Sequence, residues 1–192
     1  MNALIWMALA FVIGALPLSL WLGRLALGVD IRAYGDGNPG AANVWKAGGP
    51  RWGLTAILLD GFKGLIPVAL AQSAGHVTGW MLAAVACAPI LGHAFSPFLR
   101  GRGGKALATT FGVWTALAPW QAPVLLGLTL AAGLKLLHRE LWAVAAGMAV
   151  LLTYLGFFVR DPALVTVGLV NTVVLLARYA QPPVPQTDKE LG

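Results

Sequence analysis

The sequence contains little charge and a single cysteine. Charged residues make up 10% and hydrophobic residues 58% of its 192 residues, and the mean hydropathy is +0.77. Soluble domains are about 25% charged and about 45–50% apolar, so this composition excludes an ordinary soluble fold. It also excludes a disordered chain, which would be polar. The lone Cys87 excludes a disulfide-stabilised scaffold.

The basic residues are scattered, which argues against a nucleic-acid partner. The net charge is +6 and the pI is about 10.0, but lysines and arginines stand singly between apolar stretches. This pattern anchors helices against anionic lipid headgroups, whereas nucleic-acid binding needs a clustered basic surface. We therefore expect membrane lipid as a partner and no nucleic acid.

Seven apolar runs, each bounded by glycine, proline or charge, predict seven transmembrane helices. They cover roughly residues 3–23, 52–72, 80–98, 107–120, 122–136, 141–159 and 163–178. The predicted fold is an all-α polytopic membrane protein with one seven-helix domain over 1–180 and a short cytoplasmic tail over 181–192. Only a Pro119–Pro123 turn separates the fourth and fifth runs. The alternative is that these two runs form one broken span, which would give six spans in total. The first run lacks a basic n-region and a cleavage pattern, so we expect it to be retained.

The distribution of lysine and arginine predicts the orientation. All of the 13 basic residues except Lys63 and Arg160 lie in the loops after the first, third and fifth spans or near and within the tail. Cytoplasmic loops carry the excess of positive charge. The N-terminus is therefore predicted outside and the C-terminus inside, and a six-span topology would place two of these basic segments on the wrong side.

A glycine-rich loop follows the first span. Residues 28–43 contain four glycines together with Asn38 and Asn43. Glycines let backbone N–H groups converge on an anion, and the asparagines add neutral donors. A flexible turn is the alternative interpretation. No lysine follows in a Walker-type pattern, which disfavours nucleotide binding by that route.

A basic loop after the third span is a stronger sign of an anion site. Three cations and a glycine pair precede the predicted fourth helix: Arg100, Arg102, Gly103, Gly104 and Lys105. A helix N-terminus and cationic donors favour phosphate, although such a cluster can also serve only to fix the topology. Beside it, His93 becomes a candidate ligand or proton-transfer group. A His-x4-Asp acyltransferase box is absent, because the fifth residue after His93 is Phe98.

Asp60 and Lys63 are charged residues inside the second span. Their i,i+3 spacing places them on one helix face, where they can pair. Charges at this depth are costly and face the bundle interior. A structural ion pair and direct participation in the site are both compatible with this pattern.

These segments resemble the bacterial integral-membrane, acyl-phosphate-dependent glycerol-3-phosphate acyltransferases. The family motifs are Gly-Val-Asp-Ile-Arg, Gly-Ser-Gly-Asn-x-Gly-Ala-Thr-Asn, Asp-x-x-Lys-Gly, Gly-His-x-Phe-x-x-Phe and Gly-Gly-Lys-Gly-x-Ala-Thr. They correspond, in order, to residues 28–32, 35–43, 60–64, 92–98 and 103–109. The resemblance covers about residues 10–115, and the order, the spacing and the predicted topology agree.

The resemblance implies transfer of a fatty acyl group from acyl phosphate to glycerol 3-phosphate, giving lysophosphatidate for phospholipid synthesis in the bacterial inner membrane. It implies no metal or other cofactor and no protein nucleophile, since alignment and electrostatics can supply the rate with an activated donor. The implied catalytic residues are Lys105, His93 and Asn38. The implied substrate-binding residues are Gly35, Asp36, Gly37, Gly40, Asn43, Lys46, Arg102, Gly103, Gly104 and Thr109.

The chain also departs from the family pattern. Asp36 replaces a serine, and a carboxylate there would repel phosphate unless protonated or turned away. Lys46 replaces an arginine and loses bidentate geometry. A family serine after the fifth span aligns best with Trp142, and the C-terminal His-Arg-x-Asn-Ile-x-Arg-Leu motif is replaced, with only Arg178 corresponding.

Two further functions follow from these observations. The departures fit a diverged family member that has lost turnover or changed its acceptor. A small anion or lipid transporter could use the same basic loops, but transporters usually show internal repeats and polar sites near the midplane. The sequence shows no repeat between its halves, and only Asp60 and Lys63 lie deep, so the acyltransferase is the predicted function.

Overall fold

The computed structural model describes residues 2–183, and all regular structure in that range is helical. The helices are α1 (Ala3–Ala15), α2 (Leu18–Leu22), α3 (Ala41–Ser73), α4 (Gly79–Ala94), α5 (Leu107–Leu117), α6 (Gln121–Leu137), α7 (Glu140–Tyr154) and α8 (Pro162–Tyr179). Helix α2 continues as a π-helix over Gly23–Leu27, and α7 does so over Leu155–Val159. Residues 184–192 of the predicted tail, including Lys189, lie outside the described residues.

Five helical segments in the described part of the chain are long and apolar enough to cross a membrane. They are Ala3–Leu27, Ala41–Ser73, Gly79–Leu99, Glu140–Val159 and Pro162–Tyr179. Helices α5 and α6 contain 11 and 17 residues, which is ~16 Å and ~26 Å at 1.5 Å per residue, less than the ~30 Å hydrocarbon core. Helix covers most of each predicted apolar run, so the all-helical architecture with several apolar membrane segments is confirmed.

Close helix contacts in the bundle depend on small residues. On the α1–α4 interface, a Cβ on Gly14 would collide with the Pro89 backbone, and one on Gly92 would collide with the Phe11 carbonyl. On the α3–α5 interface, a Cβ on Gly112 would collide with the Gly61 carbonyl. Such residues let backbones approach closely where lipid supplies no hydrophobic driving force.

A buried polar network links α5 to α8. The Trp114 indole N–H donates to Asn171 Oδ1 at 3.0 Å, and Asn171 Nδ2 donates to Thr110 Oγ1 at 2.9 Å. The Thr110 hydroxyl in turn donates to the Ala106 carbonyl at 2.8 Å. Because Ala106 directly follows Lys105, this network fixes the C-terminal end of the basic loop.

The first membrane segment is broken at Pro17, which lacks a backbone N–H. Helix α1 ends at Ala15, and backbone carbonyls around the break accept bonds from side chains of other helices and loops. Ser96 Oγ donates to the Ala15 carbonyl at 2.6 Å, and Lys63 Nζ donates to the Leu16 carbonyl at 2.8 Å. The break therefore creates a polar spot inside the apolar bundle.

Candidate active site

A buried cluster of four polar side chains lies at this break; we call it the inner cluster (Ser19, Asp60, Lys63 and His93). Lys63 Nζ lies 2.9 Å from Asp60 Oδ1, so the predicted pair forms. Ser19 Oγ donates to Asp60 Oδ2 at 2.6 Å. Asp60 is 1% exposed and Lys63 4% exposed, and partners from the chain surround both charges.

His93 belongs to this inner cluster. Its Nδ1 lies 4.0 Å from Asp60 Oδ1 and has no hydrogen-bond partner among the described residues. Its Nε2 faces Gly104, where an added Cβ would collide with the imidazole. The ring borders a small polar pocket, whose lining includes Asp60, Lys63 and Ser96. The structure thus places His93 beneath the Gly103–Gly104 segment.

Arg178 holds the glycine pair from the other side. Its Nε donates to the Gly104 carbonyl at 3.2 Å, and its guanidinium also donates to the Gly103 carbonyl. The Gly104 N–H donates to the His93 carbonyl at 3.1 Å. A Cβ on Gly103 would collide with that same carbonyl, so this position requires glycine. Arg178 therefore supports the backbone that presents Lys105.

A second cluster forms where the glycine-rich and basic loops meet; we call it the outer cluster (Asp36, Asn38, Asn43, Lys105 and Glu140). Asp36 Oδ1 accepts from the Asn38 backbone N–H at 3.2 Å and from Asn43 Nδ2 at 2.9 Å. Asp36 Oδ2 lies 2.8 Å from Lys105 Nζ. Asn43 Nδ2 also donates to the Asn38 carbonyl at 2.8 Å.

Lys105 is surrounded by three segments of the chain. Besides Asp36, its Nζ contacts Glu140 Oε2 at 2.9 Å and lies 4.5 Å from the centre of the Tyr179 ring. Burial opposes ionisation of Lys105, but hydrogen bonds to the two carboxylates raise its pKa above the ordinary value. Burial likewise opposes ionisation of Asp36, but hydrogen bonds from Lys105 and Asn38 lower its pKa. The pair is therefore ionic at neutral pH.

Except for Arg102, the other proposed site residues lie beside one of the two clusters. Gly35 lies against Asn43 and Lys46: an added Cβ would collide with Asn43 Oδ1 and come within 2.6 Å of Lys46 Nζ. Gly37 has φ +75°, and Gly40 directly precedes α3. Thr109 is fully buried and donates to the Asp60 carbonyl at 3.0 Å, beside the inner cluster. Arg102 is exposed to solvent.

Sequence reasoning missed Glu140 and Tyr179 as neighbours of Lys105. Trp142, the expected counterpart of the family serine, is 57% exposed, whereas Glu140, two residues earlier, contacts the lysine. The only available signal was the charge of Glu140 at the start of an apolar run. For Tyr179 the sequence offered no signal, because its approach to Lys105 depends on how α8 packs.

Comparison with known protein families decides the classification. The family model described as glycerol-3-phosphate acyltransferase matches residues 4–183. The chain belongs to the glycerol-3-phosphate acyltransferase family. This match confirms the family and the acyltransferase class predicted from the loop motifs.

Relatives of this acyltransferase family cover different shares of the chain. Glycerol-3-phosphate acyltransferase 1 of Thermotoga maritima is 45% identical over 118 residues, which is 60% of this chain and 58% of that protein. The Geobacter sulfurreducens glycerol-3-phosphate acyltransferase is 36% identical over 181 residues, covering 94% of this chain and 92% of that protein.

Solved acyltransferase structures share the fold. Crystal structures of PlsY, an integral membrane glycerol 3-phosphate acyltransferase, match in the glycerol 3-phosphate form (TM-score 0.84, 26% identity) and in the lysophosphatidic acid form (TM-score 0.82, 28% identity). They cover 92% and 93% of this chain, and 88% of each PlsY chain. The similarity extends over nearly the whole helical bundle.

Proposed function

We propose that this chain transfers a fatty acyl group from acyl phosphate to the 1-hydroxyl of glycerol 3-phosphate, giving lysophosphatidate. The observation that carries the proposal is the outer cluster, where Lys105 Nζ, the Asn43 side-chain amide and the Asn38 backbone amide converge on one carboxylate. Donors that converge on a carboxylate can also bind a phosphate oxygen. The relatives named for glycerol 3-phosphate acylation support this reading.

In this mechanism the enzyme aligns two anionic substrates and stabilises the charge that develops at the acyl carbonyl. The hydroxyl oxygen attacks that carbonyl carbon, the bond from the carbon to the phosphate oxygen breaks, and phosphate leaves carrying the hydroxyl proton. Lys105, Asn38, Asn43 and the Gly35–Gly40 backbone bind phosphate oxygens. Lys46 and Arg102 contribute positive charge at the rim of the site.

The remaining roles in this proposal concern support of the site. His93 acts from the inner cluster by holding the Gly103–Gly104 backbone, to which its carbonyl is bonded at 3.1 Å. Thr109 holds α5 against α3 through the Asp60 carbonyl. The acyl chain lies between apolar helices and enters from the bilayer, because the exposed surfaces of the helices carry large apolar side chains such as Leu4, Leu128 and Val173.

We also propose seven membrane spans, with the N-terminus outside and the C-terminus in the cytoplasm of a bacterium, and residence in its inner membrane. Lys105 contacts Asp36, Glu140 and Tyr179, which come from three other parts of the chain. Two helices separate each of these residues from the next, so each helix pair leaves this end of the bundle and returns to it. The positive-inside rule assigns this basic end to the cytoplasm.

The test of activity uses purified protein in a lipidic mesophase, supplied with acyl phosphate and labelled glycerol 3-phosphate. We expect labelled lysophosphatidate, and a working homologue run in parallel serves as the positive control. Complete inactivity beside an active homologue would contradict the proposal. Counterflow of labelled glycerol 3-phosphate into proteoliposomes, without acyl product, would instead support a transporter.

A diverged acceptor specificity is the second candidate, favoured by the Asp36–Lys105 contact. An acceptor without phosphate would not need to compete with Asp36 for Lys105. The same assay with labelled glycerol in place of glycerol 3-phosphate separates the two functions. Acylation of glycerol at a higher rate would assign the altered acceptor, whereas a preference for glycerol 3-phosphate supports the leading proposal.

A further inference from the structure

We propose that the Asp36 carboxylate is an internal anion that occupies the phosphate cradle, so that Asp36 sets the affinity of the site for phosphate-bearing acceptors. The acceptor's identity rests on the proposed function, but occupation of the cradle does not. A phosphate group gains access to Lys105 only when the Asp36 side chain leaves.

The contacts of Asp36 are those expected for a bound oxyanion. One carboxylate oxygen accepts from a backbone amide (Asn38) and a side-chain amide (Asn43), and the other pairs with an ammonium group (Lys105). Backbone amides, neutral amides and a cation are the donors that proteins use to bind phosphate. All three are directed at a group that belongs to the chain itself.

Charge balance points the same way. The Lys105 ammonium lies between two carboxylates, 2.8 Å from Asp36 and 2.9 Å from Glu140, so its positive charge is already compensated. A phosphate added to this arrangement would meet two carboxylates and one shared cation, which is repulsive. Removing the carboxylate at position 36 frees the ammonium for the incoming anion.

The backbone around Asp36 allows its side chain to leave the cradle so that a phosphate can take its place. The Asp36 side chain is 28% exposed and sits between Gly35 and Gly37, which have φ +59° and +75°. Rotation of this short side chain towards solvent breaks its contacts without moving a helix. Glu140, whose side chain is 64% exposed, continues to hold Lys105 during the exchange.

The deciding experiment measures binding of inorganic phosphate to the full-length protein and to its Asp36→Asn and Asp36→Ser variants, by isothermal titration in detergent. Both variants should bind phosphate at least about tenfold more tightly, because a charge-assisted competitor is lost. The matched control is Asp30→Asn, which removes one negative charge from the same loop but from a pair with Arg24 and Arg32. Equal affinity in wild type and both Asp36 variants, or an equal gain in Asp30→Asn, would overturn the proposal.

Two further measurements isolate the mechanism. Adding Lys105→Met to Asp36→Asn should abolish the gain, since the freed ammonium is its source. In the unaltered protein, phosphate at saturating concentration should increase carbodiimide modification of Asp36 relative to Asp30, detected by mass spectrometry. Modification of Asp36 that stays constant or falls as phosphate binds would contradict displacement even if the variants fail to fold.

The result of the phosphate-binding tests can be distinguished from the result of the acyltransferase assay. Tighter phosphate binding by Asp36→Asn without any lysophosphatidate would sustain the internal anion and reject the acyltransferase assignment. Conversely, lysophosphatidate synthesis with the same KM for glycerol 3-phosphate in wild type and Asp36→Ser would sustain the activity and reject the internal anion.

Discussion

The inner and outer clusters both contain a lysine paired with an aspartate, but their surroundings differ. The Asp60 and Lys63 side chains are 2% and 3% exposed. Asp60 also accepts a hydrogen bond from the Ser19 hydroxyl, and Lys63 also donates one to the Leu16 carbonyl. The Asp36 and Lys105 side chains are 28% and 24% exposed and lie on two loops. The same pair of charges is therefore fixed in one place and accessible in the other.

This difference in solvent access assigns different tasks to the two pairs. A buried ion pair that loses one member leaves an uncompensated charge in a medium that cannot solvate it. A partly exposed pair can exchange a partner for water or for a ligand at small cost. The inner pair is thus suited to holding α2, α3 and the break at Pro17 together. The outer pair is suited to releasing the lysine ammonium group to a substrate.

The largest effect should come from breaking the inner pair. Lys63→Met leaves Asp60 buried without its cation and leaves the Leu16 carbonyl without this donor. We expect a loss of about 3–5 kcal/mol in the free energy of unfolding, measured by denaturant unfolding in detergent micelles. Lys135→Met, on the exposed end of α6, is the matched control and should change little.

A double variant distinguishes charge from packing at the same site. Asp60→Asn combined with Lys63→Met removes both charges, so it should recover part of the stability lost in Lys63→Met. If Lys63→Met were as stable as wild type, the ion pair would not be what holds the inner cluster together. The same conclusion would follow if the double variant lost more free energy of unfolding than the two single variants lose together.

The second effect concerns catalysis at the outer pair. If Lys105 neutralises phosphate in a partly dehydrated site, Lys105→Met should cost ~2–4 kcal/mol of transition-state stabilisation, on the order of 30- to 1000-fold in kcat/KM. The measurement compares wild type and variant at matched membrane expression. Arg100→Met serves as the control, because Arg100 is an exposed residue of the same basic loop.

A small effect of Lys105→Met would remove the lysine from the site. Under the positive-inside rule, Arg100 and Arg102 still keep the loop in the cytoplasm, so a pure topology signal tolerates the loss of Lys105. A change below about threefold at both saturating and subsaturating substrate would support that alternative. The stability of Lys105→Met should stay near wild type, in contrast to Lys63→Met.

The sequence was sufficient to predict the inner pair but only part of the outer cluster. Asp60 and Lys63 lie on one helix, where i,i+3 spacing alone makes them neighbours, and the predicted contact is confirmed at 2.9 Å. Hydropathy and loop motifs likewise predicted the helical membrane fold and the family. These signals are local in the chain, so they need no knowledge of packing.

The rest of the site depends on tertiary contacts. Asp36 and Lys105 are 69 positions apart in the numbering, and Glu140 reaches Lys105 across 35 positions. The carboxylate at position 36 was expected to repel phosphate, whereas its pairing with Lys105 depends on how two loops meet. His93 is close to Lys105 in sequence, yet α4 directs its ring towards Asp60. No period or motif encodes these directions.

The smallest effect should come from Glu140, the outermost member of the outer cluster. Its side chain is 64% exposed while it contacts Lys105 at 2.9 Å, and exposed pairs contribute about 0.2–1 kcal/mol. We therefore expect Glu140→Gln to change the KM for glycerol 3-phosphate by less than about fivefold, well below the effect of Lys105→Met.

Salt provides the sharper measurement for this variant. The Glu140–Lys105 attraction is open to solvent and is screened as ionic strength rises, since the Debye length falls from about 30 Å at 0.01 M to about 8 Å at 0.15 M. The difference in KM between wild type and Glu140→Gln should therefore shrink between these two salt concentrations. A difference that is large and independent of salt would mean that Glu140 lies in a dehydrated site when substrate is bound, which would make the outer cluster as closed as the inner one.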